Sequence, residues 1–133
     1  MTENEILMAN ALGTALQHTL ERLSPDRVFV LTDANTHRLC WPRVASVAAL
    51  QTATPLTIEA GDAHKDLTTL TQVWTTLSEQ HATRHSCLLN VGGGMVTDLG
   101  GFAASTFKRG IAFVNLPTTL LAMIDASVGG KTG

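Results

Sequence analysis

Three consecutive glycines, Gly92, Gly93 and Gly94, are the residues of this chain whose spacing most directly indicates chemistry. They follow an apolar run over 86–91 and precede a segment over 95–107 whose apolar residues recur at helical spacing. This order predicts a strand, a glycine turn and a helix start. The first N–H groups of a helix have no intrahelical partner and carry partial positive charge, so they bind anions such as phosphate.

Glycine also lets a ligand approach the turn without a Cβ in the way. Asp98 lies about one helical turn beyond the glycines, within reach of a ligand hydroxyl. The alternative is a glycine turn that only packs the helix on the sheet. The surrounding sequence has to decide between the two.

A second strand is predicted a short distance downstream. The alternation of Ile111, Phe113 and Leu116 favours a buried strand. Pro117 marks its exit, because proline cannot donate a hydrogen bond to a ladder.

The predicted strand leads into a helix that carries further polar groups. Thr118 or Thr119 suits the N-cap, and Gly129 followed by another glycine ends the helix. Asp125 and Lys131 therefore fall at the far end of this helix. Closure of a second domain over the sheet edge would still let both of them face one cleft.

Apolar periodicity divides the whole chain into alternating helices and strands. The predicted helices cover 5–23, 36–41, 66–80, 95–107 and about 118–127, and the predicted strands cover 27–31, 56–59, 87–91 and 111–116. Strands separated by helices indicate a parallel sheet covered on both faces, that is, a Rossmann-like α/β fold in a single domain over 1–133.

Apolar side chains on the predicted helices are expected to pack in the core. The stripe on the helix over 66–80 consists of Leu67, Leu70, Val73, Trp74 and Leu77. The same interpretation applies to Met95, Phe102, Phe107 and Met123.

Composition excludes several classes of function. Of the 133 residues, 15% are charged and the formal net charge is −2, so a strongly basic nucleic-acid-binding surface is excluded. The two cysteines, Cys40 and Cys87, lack the spacing of a metal site and are expected to be buried thiols. Because no apolar stretch has membrane-spanning length and the N-terminus lacks the basic start of a signal peptide, we expect a cytoplasmic protein with no membrane partner.

The motifs from residue 91 to residue 133 resemble the dehydroquinate synthase family. The family pattern contains GGG-x-x-x-D-x-x-GF, R-G-I-x-F, P-T-T-L-L-A and D-x-S-V-G-G-K-T-G, and this chain matches it almost residue for residue. Upstream, residues 31–35 resemble the strand end that meets the adenosine part of NAD, and residues 61–65 resemble the G-E-x-x-K cofactor turn. Asp62 stands where that turn has Glu, which shortens the side chain by one methylene.

The resemblance implies an activity and its cofactors. Members of the family convert 3-deoxy-arabino-heptulosonate 7-phosphate into 3-dehydroquinate and phosphate, with NAD regenerated in each turnover. It implies Zn²⁺ or Co²⁺ as well, held by one Glu and two His of a C-terminal helical domain, so no metal ligand is assigned within these residues. The implied partners are a small sugar phosphate and a second copy of the protein in a homodimer.

The resemblance also assigns roles residue by residue. Asp125 contacts a substrate hydroxyl, and Lys131 holds the substrate carboxylate or phosphate. Arg109 contacts the phosphate, either within its own subunit or across a dimer interface. The expected cofactor-binding residues are Asp33, Asn35, Asp62, Lys65, Gly92, Gly93, Gly94, Asp98, Thr118 and Thr119. A carboxylate at Asp33 would accept from ribose hydroxyls and repel the 2′-phosphate of NADP.

Other hypotheses remain open. Sugar-phosphate cyclases that make inosose or valiolone rings share the GGG and P-T-T elements, and iron-dependent alcohol dehydrogenases share the fold and a GGG turn. The G-G-K-T-G sequence favours the dehydroquinate synthase family over both. Outside enzymes, the chain alone would be a catalytically inert NAD-binding fragment.

Overall fold

The computed structural model describes residues 3–59 and 67–118. Helices and strands alternate along this part of the chain, with a short 3₁₀ turn at Ala48–Leu50 and another at Phe107–Arg109. The helices are α1 Glu3–Leu23, α2 Ala34–Leu39, α3 Trp41–Val44, α4 Leu67–Glu79 and α5 Gly94–Thr106. The strands are β1 Val28–Asp33, β2 Thr54–Ile58, β3 Cys87–Gly92 and β4 Ala112–Pro117.

The four strands form one parallel sheet in the order β2-β1-β3-β4. Within the described residues β1 and β3 are central, and every residue of β3 is buried. The register places Leu31 opposite Asn90, and Gly92 opposite Pro117. The carboxyl ends of β1, β3 and β4 therefore finish at one edge of the sheet, where ligands of open α/β folds bind.

Each face of the sheet carries its own apolar core, as the alternation of side chains along the strands requires. On one face, α4 and α5 pack Val73, Leu77 and Ala103 against Phe29 and Leu88. The other face is covered by α1, α2 and α3, which pack Leu16, Leu20 and Val44 with their neighbours against β1 and β3. The predicted Rossmann-like fold with helices on both faces is confirmed.

Two cysteines lie in the second core. Cys40 and Cys87 are both buried, as predicted. Burial raises the pKa of Cys87 to about 11, because the apolar surroundings disfavour the thiolate. Cys87 is therefore a neutral packing residue at neutral pH and not a nucleophile.

Several sequence expectations about packing were wrong. β4 was predicted to be buried, but it is an edge strand of the described sheet, and Phe113 is 41% exposed. Phe102 was assigned to the core and is 55% exposed, because it lies on the outer face of α5, one turn after the exposed Asp98. Leu67, at the start of α4, is 71% exposed and does not join the apolar stripe of that helix.

Local boundaries also differ from the prediction. The single short helix expected over 36–41 is a pair, α2 and α3, divided at Cys40, with Pro42 in the first turn of α3. Pro55, expected just before a strand, lies within β2 opposite Val30. It is tolerated because β2 is an edge strand of the described sheet.

Candidate functional site

The junction between β3 and α5 forms the centre of the candidate site. Gly93 is the N-cap of α5, with extended backbone angles of φ −81° and ψ −165°, and no side chain caps this helix end. Its carbonyl oxygen accepts from the backbone N–H of Thr97 at 3.1 Å. The N–H groups of the first turn are the unpaired donors that make a helix N-terminus an anion site.

The three glycines of the junction are required for different reasons. None of them has a left-handed φ. A Cβ on Gly92 would lie 2.7 Å from Cβ of Val96, so packing of α5 on β3 excludes a side chain there. Among the described residues, a Cβ on Gly93 would have only Oγ1 of Thr118 nearby, at 3.9 Å, and a Cβ on Gly94 would meet no atom within 4 Å.

Neither backbone conformation nor internal packing therefore explains glycine at positions 93 and 94. Both residues are exposed. A side chain at either position would occupy the space in front of the unpaired N–H groups, where a phosphate would lie. This geometry fits the pyrophosphate of a dinucleotide, which must approach the backbone closely.

The end of β4 adds a hydroxyl to this surface. Thr118 directly follows Pro117, which pairs with Gly92, and its Oγ1 is the nearest atom to the Cβ position of Gly93. Thr118 is partly exposed. The structure thus brings together Thr118 and the glycine turn, two features that the sequence predicted as parts of one site.

Asp33 closes the end of β1 at the same edge of the sheet. Its Oδ1 accepts from the backbone N–H of Thr36 at 2.8 Å, and its own N–H donates to Oγ1 of Thr36 at 2.9 Å. These two bonds form a capping box at the start of α2. Asn35 lies exposed in the first turn of the same helix.

Two other predicted site residues occupy different places. Asp98 is exposed, one turn into α5, as expected from the sequence. Arg109 lies before β4, at the amino end of the sheet, whereas Thr118 follows its carboxyl end. A strand of six residues is about 20 Å long. One copy of the chain therefore does not bring Arg109 together with the glycine turn.

The turn that carries Arg109 has an unusual backbone. Lys108 and Arg109 have φ values of 45° and 68°, and Gly110 follows with φ 111°. Left-handed conformation is unfavourable for a residue with a Cβ, and two in succession store strain. The Gly110 N–H donates to the carbonyl of Phe107 at 2.7 Å, which ties the turn to the end of α5.

The remaining predicted site residues lie outside the described residues. They are Asp62, Lys65, Thr119, Asp125 and Lys131. Within 3–59 and 67–118, the His, Cys, Asp and Glu side chains form no group of three or more that could hold a metal ion. None of the helices in these ranges is long and apolar enough to cross a bilayer.

Sequence reasoning missed three residues behind the glycine turn. Asn90 is fully buried in β3, its Nδ2 donates to Oδ1 of Asn115 at 3.0 Å, and it lies against Gly100 of α5. The signal was present in the sequence: a single Asn interrupts a continuous apolar run, and a glycine pair interrupts the following helix. We had interpreted the run only as a buried strand.

A parallel sheet with a glycine turn at the start of a helix, open toward the carboxyl edge, defines the nucleotide-binding class of α/β proteins. The model of the family "3-dehydroquinate synthase N-terminal" matches residues 55–133. The chain belongs to the 3-dehydroquinate synthase family.

Relatives in that family match all or most of the chain. A 3-dehydroquinate synthase from Parabacteroides distasonis is 50% identical over all 133 residues, which are 38% of its length. One from Thermococcus kodakarensis is 42% identical over 113 residues, covering 85% of this chain and 33% of its own length. The chain thus spans about a third of the length of the relatives that it matches.

Solved structures agree on the fold. A valiolone synthase, ValA from Streptomyces hygroscopicus with NAD⁺ and Zn²⁺ bound, has a TM-score of 0.60 and 33% identity over 75% of this chain and 28% of its own. A 2-deoxy-scyllo-inosose synthase has a TM-score of 0.72 over 80% of this chain and 31% of its own, at 23% identity. NAD and a divalent metal are therefore the cofactors consistent with the complete enzyme.

Proposed function

We propose that this chain is the NAD-binding part of a 3-dehydroquinate synthase. This cytoplasmic lyase of the shikimate pathway converts 3-deoxy-arabino-heptulosonate 7-phosphate into 3-dehydroquinate and phosphate. The observation that carries the proposal is the bare backbone at Gly93 and Gly94, which packing and conformation leave unexplained. The 50% identity to a 3-dehydroquinate synthase along the whole chain supports the choice of substrate.

Each described residue of the cofactor site has a distinct task in this proposal. The N–H groups at the start of α5 bind the pyrophosphate, and Oγ1 of Thr118 donates to it. The carboxylate of Asp33 accepts from the ribose hydroxyls with the oxygen that does not cap α2. The same proposal includes Asn35, Asp62, Lys65, Gly92, Asp98 and Thr119 in the cofactor site.

Bound NAD would supply a reversible oxidation of a substrate alcohol, which acidifies the neighbouring C–H bond and permits loss of phosphate. The chain's own contribution on the substrate side is positive charge and hydrogen bonding. We assign Asp125 to a substrate hydroxyl, Lys131 to the carboxylate or phosphate, and Arg109 to the phosphate. We assign the ligands of the divalent metal to a part of the enzyme outside this chain.

The position of Arg109 favours a homodimer. In one copy Arg109 lies at the edge of the sheet opposite Thr118, so it cannot share a ligand with that copy's glycine turn. A second copy related by two-fold symmetry would bring its own Arg109 to the site. The strained turn of Lys108 and Arg109 at this edge is consistent with a role in such a contact.

Substitution of the glycines tests the cofactor site in the complete enzyme. In Gly94→Ala the added methyl enters open space and removes conformational freedom of the unfolded chain, so the melting temperature should stay level or rise. The same methyl blocks the phosphate, so the Kd for NAD measured by calorimetry should increase at least tenfold. Gly93→Val should weaken NAD binding further.

Gly101→Ala is the matched control for these variants. Its Cβ would lie at an ordinary 3.5 Å from Phe113, about two helical turns along α5 from Gly94, so it should leave the affinity for NAD unchanged. Unchanged NAD affinity in a folded Gly94→Ala enzyme would refute the assignment of the phosphate site.

The choice of substrate has its own experiment. The complete enzyme with NAD and Zn²⁺ should release phosphate from 3-deoxy-arabino-heptulosonate 7-phosphate and not from glucose 6-phosphate. Phosphate release from the hexose phosphate alone would instead indicate a cyclase of the inosose type. The 133 residues by themselves should bind NAD without releasing phosphate, and turnover by this piece alone would contradict the assignment of the metal ligands.

A further inference from the structure

A hydrogen bond between a buried and an exposed amide side chain links the two strands that end at the candidate site. Asn90 of β3 is 0% exposed, and its Nδ2 donates to Oδ1 of Asn115, its register partner on β4. Within the described residues, Oδ1 of Asn90 accepts no hydrogen bond. An unsatisfied buried acceptor is destabilising, so the stability of the sheet does not explain an Asn at this position.

Gly100 of α5 is fitted to Asn90. A Cβ on Gly100 would lie 1.9 Å from Oδ1 and 2.3 Å from Cγ of Asn90, so any side chain at position 100 would collide with the amide. Glycine in the middle of a helix is also unfavourable relative to alanine. Asn90 and Gly100, two residues that are each unfavourable for stability, therefore contact each other between β3 and α5.

The contact lies directly behind the glycine turn. α5 approaches β3 closely at two points, Val96 on Gly92 and Gly100 on Asn90. Positions 96 and 100 are one helical turn apart, and positions 92 and 90 are one strand repeat apart, so the two contacts together fix the helix on the strand. The second contact thus controls the angle at which the N-terminus of α5 leaves the sheet.

The amide pair extends this control to β4. Asn115 lies three residues before Thr118, whose Oγ1 is the nearest atom to the Cβ position of Gly93. Asn90 therefore contacts the two elements that flank the glycine turn: α5 through Gly100, and β4 through Asn115.

We propose that Asn90, held by Asn115 and seated on Gly100, is a positioning residue that sets the N-terminus of α5 relative to Thr118 and thereby determines the affinity for NAD. This inference rests on the proposed function, because it assumes that NAD binds at the glycine turn. Asn90 itself is buried beneath the turn and acts through the elements that it holds.

A double-mutant cycle on the complete enzyme separates positioning from packing. Gly100→Ala alone should lower the melting temperature and weaken NAD binding, because the new methyl collides with Asn90. Asn90→Ala removes the amide and makes room for that methyl, so the Asn90→Ala/Gly100→Ala enzyme should melt at or above the wild-type temperature. Its Kd for NAD should nevertheless remain roughly tenfold above the wild-type value, with kcat at saturating NAD little changed.

A purely structural role predicts a different result: the double variant would recover both the melting temperature and the wild-type Kd, and that would overturn the proposal. Asn115→Ala gives a second measurement that does not depend on the core. Asn115 is exposed at the edge of the described sheet, so this variant should fold while raising the Kd for NAD severalfold. Wild-type affinity in a folded Asn115→Ala enzyme would also overturn it.

Gly101→Ala, one residue along α5 and facing Phe113, is the control for both variants and should leave the affinity for NAD unchanged. Failure of the wild-type enzyme to bind NAD would contradict the proposed function itself. A Gly94→Ala enzyme with unchanged NAD affinity and unchanged activity would contradict it as well. If the wild-type enzyme binds NAD and the double variant binds it with the same affinity, only the proposed role of Asn90 is contradicted.

Discussion

Single glycines in this chain differ in what makes them necessary. Gly92 is excluded from carrying a side chain by Val96, and Gly100 by Asn90. A Cβ on Gly94 would meet no atom of the residues that the structure describes, so packing among them does not explain this glycine. None of these three glycines has a left-handed φ, so the conformational freedom of glycine explains none of them.

Asp33 combines a structural and a proposed binding role that substitution can separate. Asn caps a helix about as well as Asp, whereas Ala removes the cap, so Asp33→Ala should cost about 1 kcal/mol of stability and Asp33→Asn only a few tenths. If the charge of Asp33 repels the 2′-phosphate of NADP, Asp33→Asn should bind NADP more tightly than the wild type does. Melting temperatures and calorimetric Kd values for both dinucleotides measure the two effects, and an unchanged preference for NAD in Asp33→Asn would remove Asp33 from the ribose site.

At the scale of elements, the sequence predicted the strands and helices with strong patterns. β3 was predicted to within one residue because its apolar run is continuous, and α1 and α4 because their apolar residues keep helical spacing. Helix α3 was missed because it has only four residues, too few to show a period. The position of β4 at an edge depends on which strands pair, and that information is not contained in the local pattern.

The candidate site was predicted to a similar degree. The glycine turn and Thr118 came together because carboxyl ends of parallel strands meet at one edge. The capping box of Asp33 and the amide pair of Asn90 were not predicted. Both depend on side-chain contacts that arise only once the elements are packed.

The loops at the amino edge of the sheet are joined by a charged network. Asp26, before β1, accepts hydrogen bonds from the hydroxyls of Thr83 and Ser86, before β3, and the bond from Ser86 is 2.7 Å long. These two hydrogen bonds hold the pKa of Asp26 below its usual value, and the bond from Thr83 has the larger effect. The carboxylate therefore stabilises the fold above the unfolded pKa of about 3.9, and this contribution is lost as the pH falls through the lower folded value.

We expect Asp26→Asn to melt at a lower temperature than the wild type at neutral pH. Below about pH 4 its stability should fall less steeply than that of the wild type. Thr83→Val removes the largest cause of the lowered pKa and should reduce the same decline while leaving the charge in place. Thermal melts from neutral pH to about pH 2 make the comparison. Parallel curves for Asp26→Asn and the wild type below pH 4 would show that this network does not contribute.

At the scale of the whole molecule, the two edges of the sheet carry different parts of the proposed site. The glycine turn and Thr118 lie at the carboxyl edge, and Arg109 at the amino edge. In the proposed homodimer, the second copy supplies the Arg109 that completes the site. Such a site would couple activity to dimerisation.

Subunit complementation tests this arrangement. Arg109→Ala and Lys131→Met should each be nearly inactive as pure dimers, because each lacks a charge-assisted contact to the substrate. If Arg109 acts across the interface, a mixed dimer has one intact site, so an equimolar mixture after subunit exchange should recover about a quarter of the wild-type kcat. If Arg109 acts within its own subunit, every site retains a defect and no activity returns.

The strand order has a consequence for how the chain acquires its structure during synthesis. β1 lies between β2 and β3, and Phe29 and Leu31 are buried against elements that follow β1 in sequence, whereas Val30 packs against α1, which precedes it. Its pairing with β3 joins Val28 to Cys87, so the ribosome must complete β3 before β1 has both neighbours. Until then β1 lacks its neighbour on that side, and we expect the non-local closure of the β1–β3 pair to be the slow step of folding.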